Sequence, residues 1–119
     1  MAALRLPGDR PAGRGALAES TVIRFGDVEM DATAHTVTRA GQPVSLTPQE
    51  FKLLLALAQK QGRAVSRLDL LRQVWGHRGI VMTRTVDAHV KELRRKLEAD
   101  PAEPRHIITV WKVGYRFEP

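Results

Sequence analysis

The sequence predicts an α+β fold: a four-stranded antiparallel sheet, then three helices, then a closing β-hairpin. Three observations carry that expectation. Between Val22 and Ser45 short alternating apolar and polar runs are divided by turn residues, between Thr47 and Glu98 apolar residues recur at helical spacing, and from Ile107 the chain returns to a strand pattern. A chain of 119 residues is long enough for one core and leaves little for a second, so residues 21–119 are read as one domain. Residues 1–20 are rich in Ala, Gly, Pro and Arg without a sustained period, the composition of a flexible tail or linker.

The strands are expected at Val22 to Phe25, Val28 to Asp31, Thr36 to Arg39 and Gln42 to Ser45, joined by Gly26-Asp27, by Ala32 to His35 and by Ala40-Gly41. Ile23, Phe25, Val28, Met30, Val37 and Val44 would form an apolar face that a helix must cover. That helix starts at once: Thr47-Pro48-Gln49-Glu50 combines a capping box with Pro at the first helical position. Phe51, Leu54, Leu55 and Ala58 predict one buried stripe, Leu53 and Leu57 a second, and Gly62 a stop.

Ala64-Val65 reads as a very short strand. Ser66 and Asp69 then have the spacing of a second capping box, before a helix to about Val74 that would bury Leu68, Leu71 and either Val74 or Trp75. The loop from Trp75 to Met82 is longer than a helix-to-helix turn requires. Trp75, His77, Arg78, Ile80, Val81 and Met82 are therefore a candidate partner surface, with a plain connector as the alternative.

The third helix, Thr83 to Glu98, has two unlike faces. Val86, Val90, Leu93 and Leu97 fall on one narrow stripe, while Arg84, Ala88, Lys91 and Arg95 lie within about 60° of the opposite point, with Glu92 at one margin and Arg94 and Lys96 flanking. Thr83 is placed to cap the helix start. After Asp100 to Pro104 stops the helix, Ile107 to Trp111 and Gly114 to Phe117 form a hairpin with Lys112 at its tip.

Charge follows the same division. Seven cations meet six carboxylates through residue 60, and twelve meet seven beyond it, within a net +6. A positive field concentrated around a two-faced helix suits a polyanion, most simply nucleic acid. There is no cysteine, which excludes disulfides and thiolate metal sites. No run approaches a membrane span and no secretory signal opens the chain, so a cytoplasmic protein without membrane contact is expected. His35, His77, His89 and His106 have no ligand spacing, no carboxylates pair on one expected face, and no Gly-rich phosphate loop follows a strand, so neither catalysis nor a metal or cofactor is expected.

Three helices followed by a hairpin is the order of a winged helix, whose helix fits the major groove of DNA. From Val22 to Phe117 the chain also resembles the effector domain of OmpR/PhoB-type response regulators. The resemblance rests on the four-stranded platform, Leu46 to Phe51 entering the first helix, Leu70 to Gly76 ending the second, Arg84 to Val90 and Leu93 to Leu97 in the third, and Gly114-Tyr115-Arg116-Phe117 at the close. It implies sequence-specific binding of double-stranded DNA by a transcription regulator in a two-component phosphorelay, with the third helix in the major groove and the hairpin as wing. It further implies direct-repeat sites, contact with RNA polymerase through loop 75–82, and a receiver domain outside this chain, with residues 1–20 as the linker to it.

On that footing Arg84, Arg94 and Arg95 are expected to anchor phosphates. Thr85, Ala88, Lys91 and Glu92 are candidates for base edges: Lys91 toward guanine, Ala88 against a thymine methyl, Glu92 accepting from cytosine N4. His89 is expected on backbone or phosphate, and Thr109, Lys112 and Arg116 on the DNA backbone. Two positions depart from the pattern of many relatives. Glu92 stands where a cation is common, which means either altered specificity or an internal pair with Lys96 or Arg95. Trp111-Lys112 stands where Arg-Gly is common, so Trp111 either packs on a sugar or completes the core. The competing function is a winged-helix module for protein interaction, with no specific DNA site.

Overall fold

The computed structural model describes residues 22–76 and 82–119; the expected tail over 1–20 and the loop residues His77, Arg78, Ile80 and Val81 lie outside the described residues. The first sheet contains β1 (Val22–Phe25), β2 (Val28–Asp31), β3 (Thr36–Arg39) and β4 (Gln42–Pro43), in that order and antiparallel throughout. Phe25, Val28, Met30 and Val37 are buried on its inner face, and Ile23 and Val44 pack against them at the margin. The β3–β4 connection places Ala40 and Gly41 at φ +51° and +80°. Two consecutive left-handed residues match the twist of a tight hairpin, and Ala40 bears a cost of about 1–2 kcal/mol that Gly41 does not. β4 stops at Pro43, two residues short of expectation, because after one bond from Val44 N–H to the Val37 carbonyl (2.9 Å) the chain leaves the sheet toward Thr47.

Helix α1 (Pro48–Gln59) begins with the complete capping box: Thr47 Oγ1 accepts from Glu50 N–H at 3.2 Å, and Glu50 Oε1 accepts from Thr47 N–H at 3.0 Å. Its buried set is Phe51, Leu53, Leu54, Ala56, Leu57 and Ala58, together with Glu50. Leu55, expected inside, is only partly buried. The helix ends before Gly62, whose φ of +80° belongs to the following turn and whose N–H donates to the Phe117 carbonyl at 3.0 Å. β5 (Val65–Ser66) is displaced by one residue from the expected Ala64-Val65, and it joins the hairpin in a second sheet of order β5-β7-β6.

Helix α2 (Arg67–Trp75) is capped by Ser66, whose Oγ accepts from Asp69 N–H at 3.0 Å. Leu70, Leu71 and Val74 are buried, while Leu68 is exposed, contrary to the expected stripe. Leu68 lies about 110° from the centre of the arc that the other three define.

Helix α3 (Arg84–Leu97) buries Val86, Val90, Leu93 and Leu97 to 1 % exposure or less. Burying four such side chains contributes on the order of 8 kcal/mol as an upper figure, enough to fix which face looks outward. Thr83 does not cap it. Its backbone is already helical and its side chain makes no cap bond, because the N–H groups of Thr85 and Val86 are taken by the carbonyls of Met82 and Thr83, each at 2.9 Å. At the other end Glu98, 2 % exposed, accepts backbone N–H bonds from Arg105 (2.9 Å), His106 (3.0 Å) and Ile107 (2.8 Å). A buried carboxylate with three donors is satisfied, and it clamps the start of the hairpin to the end of α3.

The hairpin is β6 (Ile107–Val110) and β7 (Gly114–Phe117), with Ile107 opposite Phe117 and Val110 opposite Gly114. Gly114 is sterically required: a Cβ there would run into the Val65 carbonyl of the neighbouring strand. Phe117 is fully buried and meets Phe25 edge to face at 5.0 Å between ring centroids, joining the two sheets through one core.

Candidate nucleic-acid interface

The outward arc of α3 carries Arg84, Ala88, Lys91 and Arg95, all exposed as expected from their spacing. Two edges of the helix are held by neighbours. On one edge Asp87 and Arg94 meet the hairpin: Tyr115 Oη donates to Asp87 Oδ1 at 2.6 Å, and Arg94 donates through Nε and Nη2 to the Ile107 carbonyl (3.0 and 2.8 Å) and through Nη2 to Thr109 Oγ1 (2.8 Å). The Arg94 guanidinium also stands 5.6 Å from the Tyr115 ring centroid. On the other edge Lys96 Nζ reaches Glu50 Oε1 at 2.6 Å and the Ser45 carbonyl at 3.1 Å, and the Lys96 carbonyl accepts from Arg39 Nη1 at 3.3 Å.

Asp87 is a branch point. Its Oδ2 accepts from Arg67 Nη2 at 2.9 Å, so one carboxylate joins the starts of α2 and α3 to the hairpin. Burial, followed by the hydrogen bond to Asp87, pushes the Tyr115 phenol up to about 12. It is neutral at physiological pH and donates to the carboxylate.

These contacts redistribute the expected roles. Arg94, expected among the phosphate anchors, has its guanidinium occupied by the hairpin, with the Ile107 carbonyl and Thr109 Oγ1 accepting from it. Arg116 Nε pairs with Glu118 at 2.7 Å on the half-exposed side of β7. His89 is half-buried, its Nδ1 at 2.9 Å from the Thr85 carbonyl of its own helix and its ring edge-on to Trp75 at 4.9 Å, so the ring is held within the domain beside the end of α2. Thr85 is half-buried on the same edge. Sequence reasoning missed Asp87, Tyr115 and Arg67 as the group that sets hairpin against helix, because their partners are distant in the chain.

Of the two readings of Glu92, the internal pair is present: Oε1 accepts from Arg95 Nε at 3.1 Å and Nη2 at 2.8 Å, a contact that leaves a role in specificity open to the same side chain. The hydrogen bond from Arg95 holds the Glu92 carboxyl below its ordinary range, and Glu92 in turn raises the Arg95 guanidinium. Both side chains remain substantially exposed, at 43 % and 63 %.

At the hairpin turn Trp111 is 81 % exposed, so it does not complete the core. Lys112 follows at φ +66°, a left-handed position in which the backbone turns back and the Val113 N–H reaches the Val110 carbonyl at 2.9 Å. An indole and an ammonium thus project from the tip, beside the hairpin-facing edge of α3. Met82, the one described loop residue beyond Gly76 among the partner-surface candidates, is 60 % exposed, while Trp75 is half-buried against His89. Among the described residues no group of three or more His, Cys, Asp or Glu could hold a metal ion, and no helix is long and apolar enough to cross a membrane.

Comparison with known proteins places this geometry. Residues 41–117 match the family described as transcriptional regulatory protein, C terminal. The chain is 47 % identical over 118 residues to the DNA-binding response regulator MtrA of Mycolicibacterium smegmatis, covering 99 % of this chain and 48 % of that protein. It thus spans about half the length of the curated relatives it matches. Among solved structures it resembles the Thermotoga maritima OmpR/PhoB homologue DrrB, with a TM-score of 0.78 and 32 % identity over 98 % of this chain and 56 % of that one. The Klebsiella pneumoniae RstA DNA-binding domain, solved in complex with the RstA box, gives a TM-score of 0.72 and 35 % identity over 82 % of this chain and 97 % of that one.

Proposed function

Because this chain belongs to the family of C-terminal domains of transcriptional regulatory proteins, of OmpR/PhoB type, we propose that residues 21–119 are its DNA-binding effector domain and bind double-stranded DNA sequence-specifically to regulate transcription. The observation that carries this reading is the orientation of α3. Its aliphatic stripe is fully buried, so Arg84, Lys91 and Arg95 are presented outward, next to a hairpin whose tip exposes Trp111 and Lys112. A helix of that width fits the major groove, and the hairpin reaches the adjacent backbone or minor groove. The RstA domain bound to its box supports the same mode for this chain.

Within that mode Arg84 and Arg95 anchor phosphates, Lys91 donates to guanine O6 or N7, and Ala88 and Thr85 meet base edges. Lys112 supplies the cation of the wing and Trp111 packs on a sugar. Arg94, Thr109 and Asp87 act one step removed, by holding helix and wing at a fixed angle. The domain belongs to a two-component response regulator, binds direct repeats head to tail, and offers loop 75–82 to RNA polymerase; residues 1–20 are the linker to a receiver domain. Exposed Met82 supports the loop's role.

Salt titration with cognate and scrambled duplexes tests the function. Contacts to about six phosphates predict a loss of several orders of magnitude in affinity between low and moderate salt, with the scrambled duplex weaker by a further factor of at least about 1,000. A domain that ignores duplex DNA at low salt is the protein-interaction module instead.

A further inference from the structure

The outward arc of α3 contains one anion. Glu92 lies on the side of that arc away from the hairpin, and both of its bonds to Arg95 fall on Oε1; among the described residues none donates to Oε2. The pair does little for stability. An exposed i, i+3 pair is screened by solvent and adds little to a helix. Its consequence lies in what the helix meets, because Glu92 offsets the charge that Arg95 offers and brings a carboxylate toward a polyanion.

An ionised carboxylate only accepts hydrogen bonds. In the major groove it is repelled by guanine O6 and N7 and by thymine O4, and at adenine the N6 amino group comes with the N7 acceptor beside it. Cytosine offers N4–H2 alone. An exposed glutamate is ionised at neutral pH, and the hydrogen bond from Arg95 lowers its carboxyl further, so this acceptor is presented throughout the physiological range.

We infer that Glu92, held by Arg95, is a selectivity determinant that favours a cytosine amino group at one position of the site and weakens binding to every duplex lacking it. The inference rests on the proposal that this face of α3 enters the major groove. It divides the work between two neighbours: Lys91 gains affinity at a guanine, whereas Glu92 acts largely by exclusion, lowering the affinity for wrong sequences more than for the right one. The same pair also meters Arg95. With Glu92 present the guanidinium is held through Nε and Nη2 and meets phosphate with its remaining donor, and removal of the carboxylate frees the other two for a stronger phosphate contact.

The experiment compares the 119-residue chain with Glu92→Ala and Glu92→Gln variants. Duplexes are selected from a random pool by the wild-type chain, and affinity is then measured on the selected duplex, on its single-base variants and on a scrambled duplex across a salt series. The variants should bind the scrambled duplex about tenfold more tightly, lose about tenfold in discrimination at a single C·G pair, and steepen the salt slope on scrambled DNA by about one. Their thermal midpoints should stay within about 3 °C of wild type, since the pair contributes so little to folding. Preferences at every position that survive both substitutions, or equal losses on selected and scrambled duplexes, overturn the inference while leaving DNA binding intact. A wild-type chain that binds no duplex at low salt overturns the DNA-binding proposal, and this inference with it.

Discussion

The Tyr115 hydroxyl donates to Asp87 Oδ1 at 2.6 Å, tying the second strand of the wing to the first turn of the helix that faces outward. The bond joins two prongs separated by 28 residues of chain, and Arg67 on the same carboxylate and Arg94 over the same ring brace it from both sides. A rigid angle between helix and wing is what allows both to meet one duplex without an ordering cost at the moment of binding.

Asp87→Ala should therefore lower stability by about 1–3 kcal/mol, because it strands a buried phenol and frees Arg67. Chemical denaturation checks the stability. DNA affinity should fall further than the stability loss explains, since helix and wing are no longer set against each other. Retention of full affinity in a folded variant would show that the brace has no bearing on binding.

The raised phenol sets an alkaline limit. In the unfolded chain Tyr115 titrates near 10, in the folded domain at about 12, so between those values the folded state binds the extra proton and stability falls as pH rises. Below pH 10 both states hold the proton and the group contributes no pH dependence. Thermal unfolding from pH 8 to 12 should show a decline in the wild type that is shallower in Tyr115→Phe, and ultraviolet titration should find the single tyrosine ionising near 12.

Lys112→Gly separates folding from function at the wing tip. Lys112 sits at φ +66°, where glycine avoids a cost of about 1 kcal/mol. The thermal midpoint should rise by a few degrees, while binding to all duplexes weakens and the salt slope drops by about one. A variant less stable than wild type would contradict the strain argument.

Lys91→Ala should weaken binding mainly on the cognate duplex, and Arg95→Ala on all sequences with a salt slope reduced by about one. Fluorescence anisotropy on cognate and scrambled DNA distinguishes them. Equal losses on both duplexes for both variants would refute the division between reading bases and anchoring phosphates.

Much of this architecture was legible because local signals agreed with tertiary need. The Thr47 to Glu50 capping box, the alternation in β1 to β3 and the four-residue stripe of α3 each state one backbone and one buried face, and each forms as written. Where reading failed, a distant group decided. Arg94 looks like any outward cation until the Ile107 carbonyl and Thr109 are placed beside it. Glu98 looks like a solvated helix end until three backbone N–H groups arrive from the following loop. Leu68 lost its place because Leu70 and Leu71 offered the core a better arc in a helix of nine residues. Thr83 has the composition of a cap, but its backbone is already helical.

Amide chemical-shift mapping of the labelled chain, titrated with a selected duplex, shows which face of the domain meets DNA. The largest shifts should fall on Arg84, Ala88, Lys91, Glu92 and Arg95 and on Trp111 and Lys112, with β1 to β4 almost unmoved. Shifts centred on the four-stranded sheet, or none along α3 at saturating DNA, would contradict binding through α3 and the wing.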